Sequence, residues 1–561
     1  MMGIRCSARR SKWAAMAAGT WIQCSAGGSY CFGVYSPLLK SSQGYDQSTL
    51  DSVAFFKDVG ANAGVLSGLL ASWAPLGRRR PWLVLLAGAA QCFVGYLLMW
   101  LSVTGAVNRP PPWAMCLYML LAAQAQTYLN TADVVTAVEN FPEYRGTVIG
   151  IMKGFLGLSG AILVQIYQTM FNDSPSSFLL MLALLPTSLA VLLLFFVEVH
   201  HENGKYDKKF LGAFSVIALC VAGYLMLVII GEHAIIIGST ARTVIFAIVM
   251  LLLLSPLALV VKAQMREDSE ALVGIACHES VTLIEEKDTR EIAGYRGHER
   301  LVAKGARTQN DRSGGVDSYN EIEPSFQEKL QQPREDMNLL QAMCSYDFWL
   351  LFLVMACGMG SGLATVNNIS QIGASLGYKI SDMNTLVSLW SIWNFLGRFG
   401  AGYISDYFLH SRGCARTLFI ALALLIMSVG HVIISSGLPG SLYVGSFLVG
   451  LCYGSQWALM PSVTSEIFGL THFGTLFNTV AVASPCGSYV LSVRVVGYIY
   501  DMKASDGHTC VGKHCFMLSF LIMACVCLLG FVVALGLFYR SRRFYKQVIY
   551  ARLQRLQSFV S

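Results

Sequence analysis

A chain with about fourteen separate runs of roughly twenty predominantly apolar residues has few folds open to it, because each run, wound as a helix, spans the ~30 Å hydrocarbon core of a bilayer. The runs fall near 13–35, 50–73, 81–103, 113–136, 147–170 and 178–198, then 210–231 and 241–261, and after a polar interval near 347–368, 384–406, 416–436, 441–464, 472–499 and 516–539. Only 13 % of the 561 residues are charged and 55 % are hydrophobic, far from the composition of a soluble domain. The expected fold class is an all-α polytopic membrane protein.

A net charge of +7 does not mark a nucleic-acid binder here, because the basic residues form short clusters between apolar runs. Loops on the side of the N-terminus hold Arg78, Arg79 and Arg80, then Arg145, then Lys205, Lys208 and Lys209, then Arg412 and Arg416, and finally the tail from Arg540. The opposite loops hold only Lys40, Arg109, Lys379, Lys503 and Lys513. By the positive-inside rule both termini are expected in the cytoplasm, with 1–12 a cytoplasmic N-terminus lacking a cleavable signal pattern and 540–561 a basic cytoplasmic tail. Helix length does not separate the plasma membrane from a vacuolar or other internal one.

The interval 262–346 mixes both signs of charge with Gly, Ser and Gln and has no apolar period, so it is expected to be a mostly disordered cytoplasmic linker. It separates a six-helix group, 13–198, and two additional helices, 210–261, from a second six-helix group, 347–539. Within it Glu279–Ile284 and Glu335–Leu340 fit the loose acidic-dileucine form that sorting adaptors read. The two six-helix groups read as distant copies: Thr136-Ala-Val-Glu139-Asn-Phe141 followed by Gly146-Thr147 has its counterpart in Thr464-Ser-Glu466-Ile-Phe468 followed by Gly474-Thr475. Parallel repeats of this kind suit a carrier that rocks about a site at the bilayer midplane.

Arg398 is the leading functional candidate. It lies deep within Trp390–Asp406, and a charge at the bilayer centre costs roughly 2.5–3.5 kcal/mol on the most lenient scale, so it persists only facing protein, partner or ligand. Asn394 is one turn away on the same face, and Asp406 closes the helix at the water boundary. Lys57 and Asp58 point in different directions two turns inside the second helix, and Asp58 is the candidate proton carrier. Asp133, Asp406 and Glu466 near the cytoplasmic ends and Arg494 near the outer end are candidate gating groups. Gln124, Asn130, Asn367, Asn368, Gln456 and Asn478 read as interhelical hydrogen-bonding groups.

Most of the sixteen cysteines lie inside apolar runs and count as small hydrophobes. Cys510 and Cys515 instead fall in a polar loop expected on the oxidising, non-cytoplasmic side, where they are a candidate disulfide. With His508 and His514 they make only a weak metal signature, so no metal and no cofactor is expected. No Walker loop, paired-cysteine zinc spacing or Gly-x-Ser-x-Gly elbow argues for an enzyme.

Gly402-x-x-x-Asp406 resembles the loop motif of the major facilitator superfamily, with Tyr407 where that family has Arg. The N-terminal counterpart, Gly68 to Arg80, keeps the basic cluster and lacks the acid. More closely, the chain resembles the plant nodulin-like transporters, the group that includes nuclear-fusion-defective proteins. The matching stretches are Lys12-Trp13, Phe56 to Asn62, Asn130 to Val135, Arg145-Gly146-Thr147, Lys153-Gly154, Gly157 to Gly160, Asn367-Asn368, Gln371 to Gly373, Ser484-Pro485 and Gly487-Ser488. The C-terminal group is similar to oxalate/formate and monocarboxylate transporters, in which an Arg of the equivalent helix holds the substrate carboxylate.

The resemblance implies two six-helix bundles, Arg398 and Asn394 on the substrate, and Lys153 or Lys57 as the second cation. The function expected is secondary active transport of a small polar solute, an organic anion, by alternating access with H+ as coupling ion. Two rivals are a nutrient sensor or receptor on a transporter scaffold and a structural membrane factor.

Overall fold

A computed structural model of the protein describes residues 11–45, 47–73, 80–171, 175–200, 206–234, 238, 240–266, 269, 336–503 and 510–551. The described residues are helical with irregular connections. α1 (Lys12–Ala26) starts at Ser11, whose hydroxyl accepts from the Ala14 N–H, and continues through a 3-10 turn (Gly28–Cys31) into α2 (Phe32–Gln43). α3 (Gln47–Asn62) and α4 (Val65–Trp73) form one crossing with a break at Ala63–Gly64. α5 (Arg80–Val103), α6 (Pro112–Asn140), α7 (Arg145–Met170) and α8 (Pro175–Leu193) complete the first bundle, and α9 (Asp207–Ala234) and α10 (Thr240–Arg266) are the additional pair.

A short helix, α11 (Leu339–Met343), precedes the second bundle. It begins with a reciprocal cap between Asn338 and Gln341. α12 (Tyr346–Ser375), α13 (Ile380–Arg412), α14 (Arg416–Ser436) and α15 (Ser441–Ile467) follow, α13 and α14 each ending at a glycine of positive φ, Gly413 and Gly437. The next crossing is broken into α16 (Phe473–Ala481), α17 (Ala483–Ser488), a π-helical stretch (Tyr489–Gly497) and α18 (Tyr498–Lys503), and α19 (Met517–Phe544) is the last.

Ten of these segments are long and apolar enough to cross a membrane by themselves. α6, α13 and α15 are not among them, and these are the helices that carry Gln126, Asn130, Asp133, Asn394, Arg398, Asp406 and Gln456, all buried. Their polar faces turn into the protein, which is why composition alone underrates them.

The bundles meet along two seams, α7 on α13 and α4 on α16. Both seams depend on absent side chains. A Cβ on Gly402 would collide with the carbonyl of Gly146, and one on Gly68 with the carbonyl of Gly474. Gly402→Val is therefore expected to hold the seam apart at the end where the termini lie, and to cut uptake into liposomes severely while leaving each bundle folded.

α9 lies against both α7 and α13. Its Asp207 pairs with Lys12 at 2.6 Å, and Trp13 packs among Phe141, Phe210 and Phe214. Trp21 donates to the carbonyl of Leu253 in α10. The additional pair is thus anchored to the start of α1 and backs the α7–α13 seam.

Two boundaries differ from the sequence reading. The linker is ordered from 336 onward: Asp336 accepts from Leu470 N–H and from the Thr471 hydroxyl, and α11 occupies part of the 335–340 sorting match. The 279–284 match lies outside the described residues. The tail is not free from 540, because its helix continues to Tyr550 and buries Tyr545, whose hydroxyl donates to Glu466 at 2.7 Å.

Candidate functional site

α7 and α13 cross where GIMKGFLGLSG presents its glycines, and Phe395 fits against Gly154 while the Arg398 guanidinium lies 3.8 Å from where a Cβ on Gly157 would stand. Small residues let a large cation enter the seam. Arg398 is 1 % exposed; its Nε donates to Asn394 Oδ1 at 2.9 Å, Nη1 to the Lys153 carbonyl at 2.8 Å and Nη2 to Tyr30 Oη at 3.4 Å. Lys153 is 2 % exposed, with its ammonium 5.1 Å from the Trp457 ring and 5.4 Å from that of Phe477. Trp457 also lies 5.8 Å from the Arg398 guanidinium carbon.

Both cations line a narrow cleft between the bundles with about 30 Å³ of open room, and Asn62, Gln126, Asn130 and Asn478 are among its polar walls. Among the described residues no carboxylate lies within ion-pair distance of either cation. A buried ion without its counter-charge is held at a cost of several kcal/mol. The arrangement is therefore complementary to a negative charge placed in the cleft, and Arg398 can fork onto a carboxylate.

Lys57 does not join this pair. It forms an ion pair with Asp58 at 3.0 Å and lies over Phe32 at 5.2 Å, so the two neighbours do not point apart as their helical phase suggests, because the long lysine side chain folds back. Both line a wider vestibule of about 1360 Å³, counting its mouth, with Asn367, Asn368 and Gln371 on the facing bundle. One turn further along α3, Asn62 lines the inner cleft, so the same helix borders both spaces.

The opposite end is closed. Asp406 accepts from the N–H groups of Gly146 (3.1 Å) and Thr147 (2.5 Å), at the start of α7, and pairs with Arg416. Arg416 donates to Glu466 at 2.8 Å and to Ser405 at 2.6 Å. Arg145 reaches the Ser465 carbonyl at 3.0 Å, Ser72 and Thr475 share a hydrogen bond of 2.7 Å, and His410 stacks on Tyr144. Asp406 and Glu466 thus sit in one closed network, whereas Asp133 lies apart from it, accepting from Gln23 at 3.1 Å. Arg494 is exposed on the π-helical stretch and has no carboxylate partner among the described residues. Cys510 and Cys515 are disulfide-bonded, with His514 beside them; His508 lies outside the described residues.

Tyr30, Trp457 and Phe477 were invisible as site residues in the sequence. Aromatic residues abound in membrane helices, and only the placement of two ammonium-type charges over one indole separates Trp457 from the rest.

Two bundles closed at one end around a polar cleft define a membrane protein of the major facilitator fold. Residues 12–261 match the family described as Nodulin-like and residues 335–547 the one described as NFD4, C-terminal domain, and the chain belongs to this nodulin-like family. It is 27 % identical to Protein NUCLEAR FUSION DEFECTIVE 4 of Arabidopsis thaliana, over 96 % of this chain and 90 % of that one. It is 26 % identical to the Riboflavin transporter MCH5 of Saccharomyces cerevisiae, over 27 % of this chain and 28 % of that one. Among solved structures, the proton:xylose symporter XylE superposes with a TM-score of 0.51 at 11 % identity, covering 93 % of this chain and 94 % of that one. A bacterial homologue of the iron transporter ferroportin superposes with a TM-score of 0.54 at 10 % identity, covering 94 % and 99 %. These likenesses concern the fold.

Proposed function

We propose that this protein is a secondary active transporter that carries a small organic anion by alternating access, with protons as the coupling ion. One observation carries the reading: Arg398 and Lys153 are two buried cations without a described counter-ion, both facing the cleft between the bundles. Arg398 takes the carboxylate, Asn394 fixes the guanidinium through its Nε, and Lys153 supplies the second charge over Trp457. The similarity to a riboflavin transporter supports a carrier over a purely structural factor. On the charge bias of the loops, the closed end with both termini faces the cytoplasm.

The test is uptake by the purified protein in liposomes under an imposed pH gradient, with mono- and dicarboxylates, amino acids and sugars. Gradient-driven uptake of an anion is expected. Ligand binding without flux would move the reading to a sensor on the same scaffold. Lys153→Met is expected to weaken binding of that anion by roughly tenfold to a hundredfold, the loss of one charge-assisted contact of about 1.5–3 kcal/mol, measured by calorimetric titration.

A further inference from the structure

Asp133 differs from three other buried acids. Asp207, Asp347 and Asp406 hold Lys12, Arg540 and Arg416 respectively, each as an ion pair. Asp133 is 2 % exposed, receives one side-chain hydrogen bond, from Gln23 to Oδ2, and no protein donor among the described residues reaches Oδ1. Gln23 Oε1 and Asn130 Oδ1 are likewise buried without a described donor. These are three acceptors in a region short of protons. A proton on Asp133 turns one of them into a donor, and nothing else in the packed side chains does so.

Among the described residues, no charge is paired with it. α1 carries Lys12, engaged by Asp207; α3 carries Asp51 in its first half and, further along, Lys57 and Asp58, paired with each other; α7 carries Arg145, bound to carbonyls, and Lys153, turned to the Trp457 and Phe477 rings. α5 has its single charge, Arg80, at its first position, α4 and α16 have no charged residue, and Glu139 lies further along α6 itself. The other titratable side chains on these elements include Cys24 on α1, Tyr30 in the 3-10 turn and Tyr128 on α6. Met152 and the space left by Gly19 wall the carboxyl in: a Cβ on Gly19 would stand 3.6 Å from its Cγ.

The position is also connected to both the cleft and the moving seam. Asn130, one turn away on the same face of α6, lines the cleft, and the intervening Thr131 accepts a hydrogen bond from Asn478 of the other bundle at 2.8 Å. Rocking of the bundles breaks that contact and changes what surrounds Asp133.

We propose that Asp133 is the proton-binding group of this protein. A hydronium ion reaching the region past Asn130 gives its proton to Oδ1; one O–H bond forms there and one water is left behind. After the bundles reorient, the proton returns to water on the other side. An ionised Asp133 adds a negative charge to the interior that an anion has to enter, so proton and anion favour each other's binding and move together. This coupling rests on the transport reading, whereas proton binding itself does not.

The experiment is infrared difference spectroscopy of the full-length protein in liposomes, without substrate, titrated from neutral to alkaline buffer. A protonated-carboxyl band is expected that vanishes as the buffer becomes alkaline, is missing in Asp133→Asn and persists in Asp58→Asn. Gln23→Leu, which removes the hydrogen-bonding side chain, is expected to shift the band without abolishing it. A wild-type spectrum without the band, a band that survives in Asp133→Asn, one lost in Asp58→Asn instead, or one unmoved in Gln23→Leu overturns the proposal. If the band behaves as expected and no solute is transported, the transport reading fails while the proton site stands.

Discussion

Arg398→Ala is expected to abolish gradient-driven anion uptake and to remove the thermal stabilisation that the anion gives the wild-type protein. The guanidinium is buried between α7 and α13, fixed by Asn394 and the Lys153 carbonyl, and lines the cleft. Truncating one partner of a buried charge-assisted contact costs about 2–5 kcal/mol, a loss of roughly thirtyfold to several thousandfold in affinity. Arg398→Lys keeps the charge but not the planar fork or the Nε bond to Asn394, so it is expected to restore only a fraction of the uptake. Full uptake in that variant removes the bidentate role from the argument. The same pair of variants separates the rivals, since a structural factor performs its cellular role unaffected by Arg398→Ala.

Asp406→Asn is expected to open the closed end. Asp406 receives the first N–H groups of α7 across the seam and pairs with Arg416 of its own bundle. Losing the carboxylate charge weakens the two charge-assisted hydrogen bonds that cross the seam, each worth about 1.5–3 kcal/mol, together a large part of the ~5.5 kcal/mol that inverts a 99:1 population. Glu466 remains on Arg416, so the C-terminal bundle is expected to stay folded. The readout is a cross-link between cysteines placed at Ser72 and Thr475, whose hydroxyls are hydrogen-bonded across the other seam. The cross-link is expected to form readily in the wild-type background and halt uptake until reduced, and to form poorly with Asp406→Asn. Equal cross-linking in both backgrounds would show that Asp406 does not hold the end closed.

Much of the helical plan was readable from residues alone. Each apolar run expected to cross the membrane is a helix, and even the broken crossings at Ala63–Gly64 and Val482 fall within runs predicted as one. The reason is local: in lipid the backbone can satisfy its polar groups only within its own helix, so length and apolarity suffice. Arg398 and Asn394 were legible for a related reason, because a charge in such a run is costly wherever it points.

What each polar group faces was decided elsewhere. Lys57 and Lys153 were equivalent candidates in the sequence; the fold sends Lys57 to Asp58 in the vestibule and Lys153 to the ring of Trp457 beside Arg398. Asp58 was the sequence's proton carrier, and the fold gives it a cation while leaving Asp133, expected to be a gate, without one. The tail and the last part of the linker, polar by composition, are held in place by Glu466 and by the Leu470–Thr471 turn.

The sequence by itself therefore determined that the chain is a bundle of membrane helices with an expensive cation at its centre. Only the tertiary structure decided which charges pair with one another and which, among the described residues, do not. Helical periodicity gives the face on which a residue lies, but the energy of a buried charge depends on what another helix, hundreds of residues away, brings to within a few ångströms of that face.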